Sequence, residues 1–496
     1  MGDAMFDLFS DPAEKPLRPH QQTAIDMVRH SLGTGHKHPV LQLATGAGKS
    51  RIAAEIVNMA LAKGNQVAFT VPAISLIDQS VKEFAEVGIH RVNVMQGNHP
   101  RKDPMARVHI ISVQSLLNRD RPKVGLVIVD ECHIRHRAIL DWMQDEPKLP
   151  FVGLSATPWA RGMADHWDDL LRPVTMQALI DAGYLSPFRV FAPSHPDLTT
   201  VRTKAGDYHE GDLSSVMSDN RLVADVVTTW KQRAAGLPTL VFAVDRAHAE
   251  KLQAQFAAAG VAMGYCDANV DRVQRKMLFD QLAAGKIAGI CNVGTLTTGV
   301  DADIRCVVLA RPTKSEMLFV QMIGRALRLA DGKDHALILD HADNHARLGF
   351  VTDIHHGKLL SGSDKAPPTA REKGETMPKE CPKCGALRKG RECIDCGFVA
   401  ARQSEIEHEE GELVEVKARK EKFTPEDKQR WWSELLAVAR ERGRSRGWAS
   451  NTYRDKIGVY PRGLIDKAST PSPEVLGFVR HKDIKFAHSK SRRFAA

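Results

Sequence analysis

An α/β fold with two parallel-sheet domains is expected for this 496-residue chain from three observations. Short apolar runs alternate with helix-like stretches from residue 17 to 185, the pattern of strands buried on both faces of a helix-covered sheet. The same alternation repeats in the second half. A glycine turn suited to phosphate occurs only in the first half, so two sheets are expected to share one nucleotide at their interface.

The turn is Leu43-Ala-Thr-Gly-Ala-Gly-Lys-Ser50, between an apolar run at 39–43 and a helix-like run at 51–60. Around Thr45, Gly46 and Gly48 the backbone N–H groups can turn inward, and the helix N-terminus adds positive potential. Lys49 can reach the outer phosphates and the Ser50 hydroxyl can ligate Mg2+. Leu43 stands where the strict P-loop has glycine, so the match is to a looser form. Strands are expected at 66–71, 108–113, 125–129 and 151–154, and in the second half at 239–244, 288–293, 306–310 and 336–339. The run 127–129 leads into Asp130-Glu-Cys-His133, an acidic pair at a strand end, where open α/β sheets place their chemistry. There Asp130 would hold Mg2+ through water, and Glu131 would orient or deprotonate the attacking water. Gly153-Leu-Ser-Ala-Thr-Pro158 ends another strand. Gln321, Arg325 and Arg328 fall at i, i+4 and i+7, either a solvated helix stripe or arginine fingers for a γ-phosphate.

In this order the motifs resemble those of superfamily 2 helicases and translocases over residues 17–345. The resemblance implies two RecA-like domains fuelled by ATP and Mg2+. Gln21 in Leu17-Arg-Pro-His-Gln-Gln22 matches an adenine contact, and Ser155 and Thr157 match the motif coupling ATP state to domain movement. Gly294-Thr-Leu-Thr-Thr-Gly-Val-Asp301 matches a motif touching nucleotide and nucleic acid, which puts Gly299 and Asp301 at the nucleotide. Pro72, Ser75, Gln114 and Thr295 are the corresponding nucleic-acid contacts. Asp130-Glu-Cys-His133 varies the commoner DEAD and DEAH spellings but keeps both carboxylates.

Residues 1–185 are assigned to the first sheet domain, 186–220 to a polar connection, 221–355 to the second domain and 356–378 to a linker. Cys381, Cys384, Cys393 and Cys396 follow as CxxC-x8-CxxC in residues 379–400, a spacing that fits four thiolates on structural Zn2+. Cys266, Cys291 and Cys306 read as inert core thiols, and His341, Asp343, Asn344 and His345 as a polar interdomain or active-site-edge network. A charged spacer at 401–420 precedes a basic helical module at 421–496, expected to start at the cap-like Thr424-Pro-Glu-Asp427. This module holds 17 Lys+Arg against 9 Asp+Glu, most of the chain's net +9, which fits a polyanion such as DNA or an ordinary solvated surface. Trp448 and Tyr453 among its arginines fit base stacking or a small helical core. Knuckle and tail together resemble the RadD-like DNA repair helicases, which implies single-stranded or branched DNA and a single-strand-binding protein or recombinase as partner.

No apolar run is long enough for a membrane span, and the first residues lack a signal-peptide layout, so a cytoplasmic protein is expected. The alternatives to a DNA repair motor are the motor subunit of a restriction system, an RNA helicase, or a DNA-binding adaptor with an inactive ATPase.

Overall fold

A computed structural model describes residues 16–97, 99–204, 206–296, 302–364, 377–400, 423–480 and 482–483. The chain divides into two compact units at Arg402.

The first unit holds two parallel sheets. The seven strands of the first are β1 (Pro39–Gln42), β2 (Val67–Val71), β3 (Asn93–Met95), β4 (Val108–Ser112), β5 (Leu126–Asp130), β6 (Phe151–Ser155) and β7 (Asp169–Leu171), in the order β3-β4-β2-β5-β6-β1-β7. Then come β8 (Phe188–Phe191), a hairpin of β9 (Thr203–Lys204) and β10 (Asp207–Tyr208), β11 (Thr239–Phe242), β12 (Met263–Cys266), β13 (Gly289–Asn292), β14 (Cys306–Leu309) and β15 (Ala336–Asp340). The second sheet runs β12-β13-β11-β14-β15-β8. β2, β4 and β6 are buried at every residue, because helices cover both faces of a parallel sheet and leave no polar side.

The inner strands lie where the apolar runs predicted them, whereas β3, β7, β8 and β12 were not anticipated. These four are the edges of the two sheets. Edge strands keep partly exposed residues and are short, so they break the continuous apolar signal. β8 corrects the expectation of a bare connection at 186–220: it pairs in parallel with β15 through Phe188↔Ala336 to Phe191↔Leu339. The segment 356–364, read as the start of a linker, is also structured, with Leu359 and Leu360 buried. Residues 365–376 and the charged spacer at 401–420 lie outside the described residues.

The four-cysteine segment is part of the second sheet's packing. β16 (Lys379–Glu380) pairs with β17 (Leu387–Arg388), and Ala386 bridges to Phe191 of β8. Cys381, Ala386 and Cys393 share an apolar cluster with Phe191, Val241 and Val308. Arg189 of β8 pairs with Asp395 at 2.8 Å and fixes the segment further. His341, Asn344 and His345 are buried inside the second lobe: Ser194 pairs with His341 at 2.8 Å, and His345 Nδ1 with Asp340 at 2.8 Å. That corrects the interdomain placement, since these partners all belong to the second lobe.

In the second unit, helices Pro425–Glu441 and Arg446–Ile457 pack around Trp431, Trp432, Tyr453, Val475 and Val479. The first helix starts with a capping box between Thr424 and Asp427, at the expected position.

Gly153 on β6 leaves no room for a side chain: an added Cβ would sit 2.8 Å from both Cys132 Sγ and the Trp167 ring. Gly153→Ala is expected to lower stability by about 1–3 kcal/mol through overpacking, measured by denaturant unfolding.

Candidate active site

β1 delivers the P-loop. Leu43 stays in the sheet pattern, its N–H donating to the Ser155 carbonyl at 2.9 Å, and its side chain is fully buried. A glycine there would forfeit that burial, which accounts for the departure from the strict motif. Gly46 and Gly48 adopt φ of 90° and 89°, a conformation that side-chain-bearing residues rarely take, and helix Lys49–Ala62 starts at once. The loop is propped from α1 (Pro19–Gly33), where His20 Nε2 lies 2.9 Å from the Ala47 carbonyl.

β5 delivers the carboxylates beside it. Burial pushes the Asp130 carboxyl up to about 7, with the Glu131 charge adding to the rise. Burial also opposes ionisation of Glu131, yet the charge and hydrogen bond of Lys49 hold its carboxyl below the usual range. Lys49 Nζ lies 3.2 Å from Glu131 Oε1. Glu131 has φ 48°, one of two non-glycine residues in the left-handed region among the described residues, so local strain is concentrated at this carboxylate.

His133 connects the carboxylate to the rest of the site. Its Nδ1 lies 2.8 Å from Ser155 Oγ and 3.4 Å from Glu131 Oε2. Gln321, from the second lobe, donates through Nε2 to His133 Nε2 and to Thr157 Oγ1, both at 3.2 Å. An acceptor Nε2 puts the ring proton on Nδ1, the neutral tautomer. Burial favours it too by lowering the His133 pKa. The Thr157 N–H donates to Ser155 Oγ at 3.0 Å and closes the circuit.

The lobes meet over a cleft of about 430 Å3 lined by Lys49, Ser50, Asp130, Glu131, Arg325 and Arg328, among others. This volume suits a small-molecule ligand. An added Cβ at Gly46 would meet Arg328 Cγ at 3.3 Å, and one at Gly324 would meet Thr45 at 3.2 Å. The end of helix Glu316–Gly324 and the turn after it, which carries Arg325 and Arg328, therefore abut the P-loop; the arginines do not share the helix face that their spacing predicted. Ser50 and Asp130 supply a hydroxyl and a carboxylate to one cleft beside a second acid, an oxygen donor set that fits Mg2+.

Gln21 does not line this cleft. Its carboxamide is bonded to the Ala47 carbonyl at 3.4 Å and the Arg18 N–H at 2.9 Å, and it packs against Gly48. The side chains lining that end are Arg18 and Tyr184, the guanidinium 4.8 Å from the ring centre. Sequence reasoning missed Tyr184, which lies outside any recognisable motif. Gly299 and Asp301 lie outside the described residues.

Among the expected nucleic-acid contacts, Gln114 donates to the Pro72 carbonyl at 3.0 Å, joining the ends of β4 and β2. Ser75 falls in the turn Ile74–Leu76, and Thr295 follows β13 beside Cys266. Of the two readings of Tyr453 the small helical core holds and base stacking is corrected: at 1% exposure it lies edge-on to Trp432 and has no free face for a base. Trp448 is half-buried with the Arg444 guanidinium 5.2 Å from its ring centre, while exposed Tyr460 bonds Arg454. Burial raises the thiols of Cys291 and Cys306 to about 12, in keeping with inert core positions.

The sulfur atoms of Cys381, Cys384, Cys393 and Cys396 lie within 4.8 Å of one another. Two matching turns bring them there: Gly385 donates to the Cys381 carbonyl and Gly397 to that of Cys393, both at 2.8 Å.

Residues 14–160 match the family model described as type III restriction enzyme, res subunit, and residues 220–330 match the helicase conserved C-terminal domain. A 51.5 kDa protein of a Lactococcus phage (isolate 7-9) is 28% identical over 81% of this chain and 89% of its own length. A Saccharomyces cerevisiae protein named as the ATP-dependent helicase IRC3 is 30% identical over 65% of this chain, which spans 51% of that relative. In fold, the chain resembles a fragment of an HsdR subunit of a type I restriction enzyme from Vibrio vulnificus YJ016, with a TM-score of 0.51 and 21% identity over 66% of this chain and 64% of that one. Two parallel sheets meeting at one acidic, P-loop-bearing cleft are thus found in a chain that matches the restriction-enzyme res-subunit model and then the helicase C-terminal model, and the chain belongs to superfamily 2 of the ATP-hydrolysing helicases.

Proposed function

We propose that this enzyme is an ATP-driven motor that moves along single-stranded or branched DNA in repair or recombination. The observation that carries this reading is the chain of contacts Ser155–His133–Gln321–Thr157, which joins the two lobes through side chains with the Glu131 carboxylate 3.4 Å from His133. In it Lys49 holds the outer phosphates of ATP, with Ser50 and Asp130 as the Mg2+ ligands. Bound there, Mg2+ would neutralise charge developing on the phosphates. Glu131 orients the attacking water and takes its proton, while Arg325 and Arg328 approach from the second lobe to stabilise the transferred phosphoryl group. Loss of that phosphate removes what the arginines hold. Gln321 passes the resulting lobe movement to Thr157 and His133, and alternating grips at the strand ends advance the protein along phosphates rather than bases.

The basic second unit favours a polyanionic track, and the RadD-like pattern of knuckle and tail favours repair DNA with a single-strand-binding protein or recombinase as partner, in the cytoplasm. A restriction motor is the second reading, supported by the likeness to an HsdR fragment. No helix among the described residues is long and apolar enough to cross a membrane. For the four cysteines we propose a closed, structural Zn2+ site.

Glu131→Gln is expected to lower ATP turnover by about 10²–10⁴-fold. It removes one charge from a buried acidic pair, so the melting temperature should hold or rise. Unchanged turnover would sink the mechanism. ATPase rates measured with single-stranded DNA, forked DNA, duplex and RNA should rise most with the first two; RNA alone as activator would overturn the DNA assignment. Removing residues 403–496 should weaken DNA binding and flatten its salt dependence, with basal ATPase within about twofold of the full chain. Metal analysis of the purified protein should find one zinc per chain. Cys384→Ser should release it and lower the unfolding temperature of the second lobe, because Cys381 and Cys393 belong to that lobe's core.

A further inference from the structure

After the second sheet ends, the chain returns to the first lobe. Leu359 joins the first lobe's apolar cluster with Val40, Met163 and Trp167. The Ala164 N–H donates to the Leu360 carbonyl at 3.0 Å, and Arg161 to that of Gly362 at 2.9 Å. Residues 349–364 therefore form a strap from the second lobe back to the first.

His356 lies in the middle of this strap, where the two lobes face each other. Its ring stacks on Trp159 with centres 4.6 Å apart and planes 35° apart. Its Nε2 lies 2.6 Å from Glu316 Oε2, and its carbonyl accepts from Arg172 at 3.0 Å. Both partners occupy telling positions. Trp159 follows the coupling residues, with its N–H donating to the Thr157 carbonyl at 2.8 Å. Glu316 opens helix Glu316–Gly324, which carries Gln321 and leads into Arg325. The helix is therefore held to the first lobe twice: through Gln321 to Thr157 and His133, and through Glu316 and His356 to Trp159. The clamp borders a cavity of about 600 Å3 that Trp159, His356, Ala156 and Val320 help to line. A residue serving only to fill the core would not face such a space.

We propose that His356 is a positioning residue for ATP hydrolysis. By joining Glu316 to Trp159 it sets the orientation of helix Glu316–Gly324 against the coupling segment, and so the placement of Arg325 and Arg328, in the turn that follows the helix, in the cleft. The proposal rests on reading that cleft as the hydrolysis site. His356 touches neither nucleotide nor reacting atoms, so its loss should alter the rate of hydrolysis and leave ATP binding intact.

The test is a double-mutant cycle in the full chain. His356→Ala and Glu316→Ala should each lower kcat by about tenfold with KM for ATP within about twofold, and the double variant should be no worse than either single one. His356→Gln, which keeps a donor toward Glu316, should recover part of kcat. Affinity for a fluorescent ATP analogue should match the parent in all four variants. Unchanged kcat in Glu316→Ala, or losses that multiply in the double variant, would overturn the proposal. So would a rise in KM at unchanged kcat. If His356→Ala fails to fold, Glu316→Ala and His356→Gln decide alone: full activity in Glu316→Ala refutes the clamp, and a tenfold loss in it with partial activity in His356→Gln supports it. Glu131→Gln separates this test from the reading beneath it. Turnover surviving that substitution refutes the cleft assignment, whereas its loss together with full activity in Glu316→Ala refutes the clamp alone.

Discussion

Two neighbouring carboxylates, Asp130 and Glu131, are buried where β5 ends, and the surrounding site is organised by their charge. Like charges held side by side away from water repel strongly, which is why burial and its neighbour keep the Asp130 carboxyl high. The chain answers with cations from separate elements: Lys49 from the P-loop, within 3.2 Å of Glu131, and Arg325 from the opposite lobe, whose charge also favours ionised Glu131. An acidic pair supported from both lobes favours their approach. In this molecule charge balance and domain closure are therefore one problem.

His133 explains what the fourth letter of the acidic box contributes. A neutral imidazole can accept from one side and donate from the other, so it links Gln321 to Ser155 beside Glu131 without adding a charge. Cys132 between them points the other way, buried against Gly153 and Trp167 as packing. Burial raises its thiol well above the ordinary value, which keeps it unreactive. Alternation along the chain thus separates chemistry from core within a four-residue stretch.

The interior strands and the P-loop were legible because a parallel sheet covered on both faces demands unbroken apolar runs, and because tight phosphate turns demand glycine. The carboxylates were expected at a strand end, where β5 places them, but the helical spacing held only for Gln321: helix Glu316–Gly324 stops before Arg325 and Arg328, which lie in the turn that follows. The edges of both sheets were not legible: β3, β7 and β8 keep partly exposed residues that break the apolar run, and β12, buried at three of its four residues, is interrupted by Gly264. Gln21 was expected at the adenine; its carboxamide bonds Ala47 and Arg18, while Arg18 of the same segment and the distant Tyr184 line the cleft there. The sequence left Tyr453 open between core and surface. Arginines beside an aromatic residue in sequence do not say which face of a helix the ring occupies, and this one faces inward.

The four-cysteine segment limits where this chain can be divided. Its thiols share the apolar cluster of β8, β11 and β14, and a main-chain bridge joins it to the sheet edge at Phe191. A cut just after β15 would strip an oily face bare and carry off the strap as well. A cut that leaves each core whole falls only past Arg402, because the second unit brings its own tryptophan core. By packing, the cysteines are a component of the motor rather than an appendage to it.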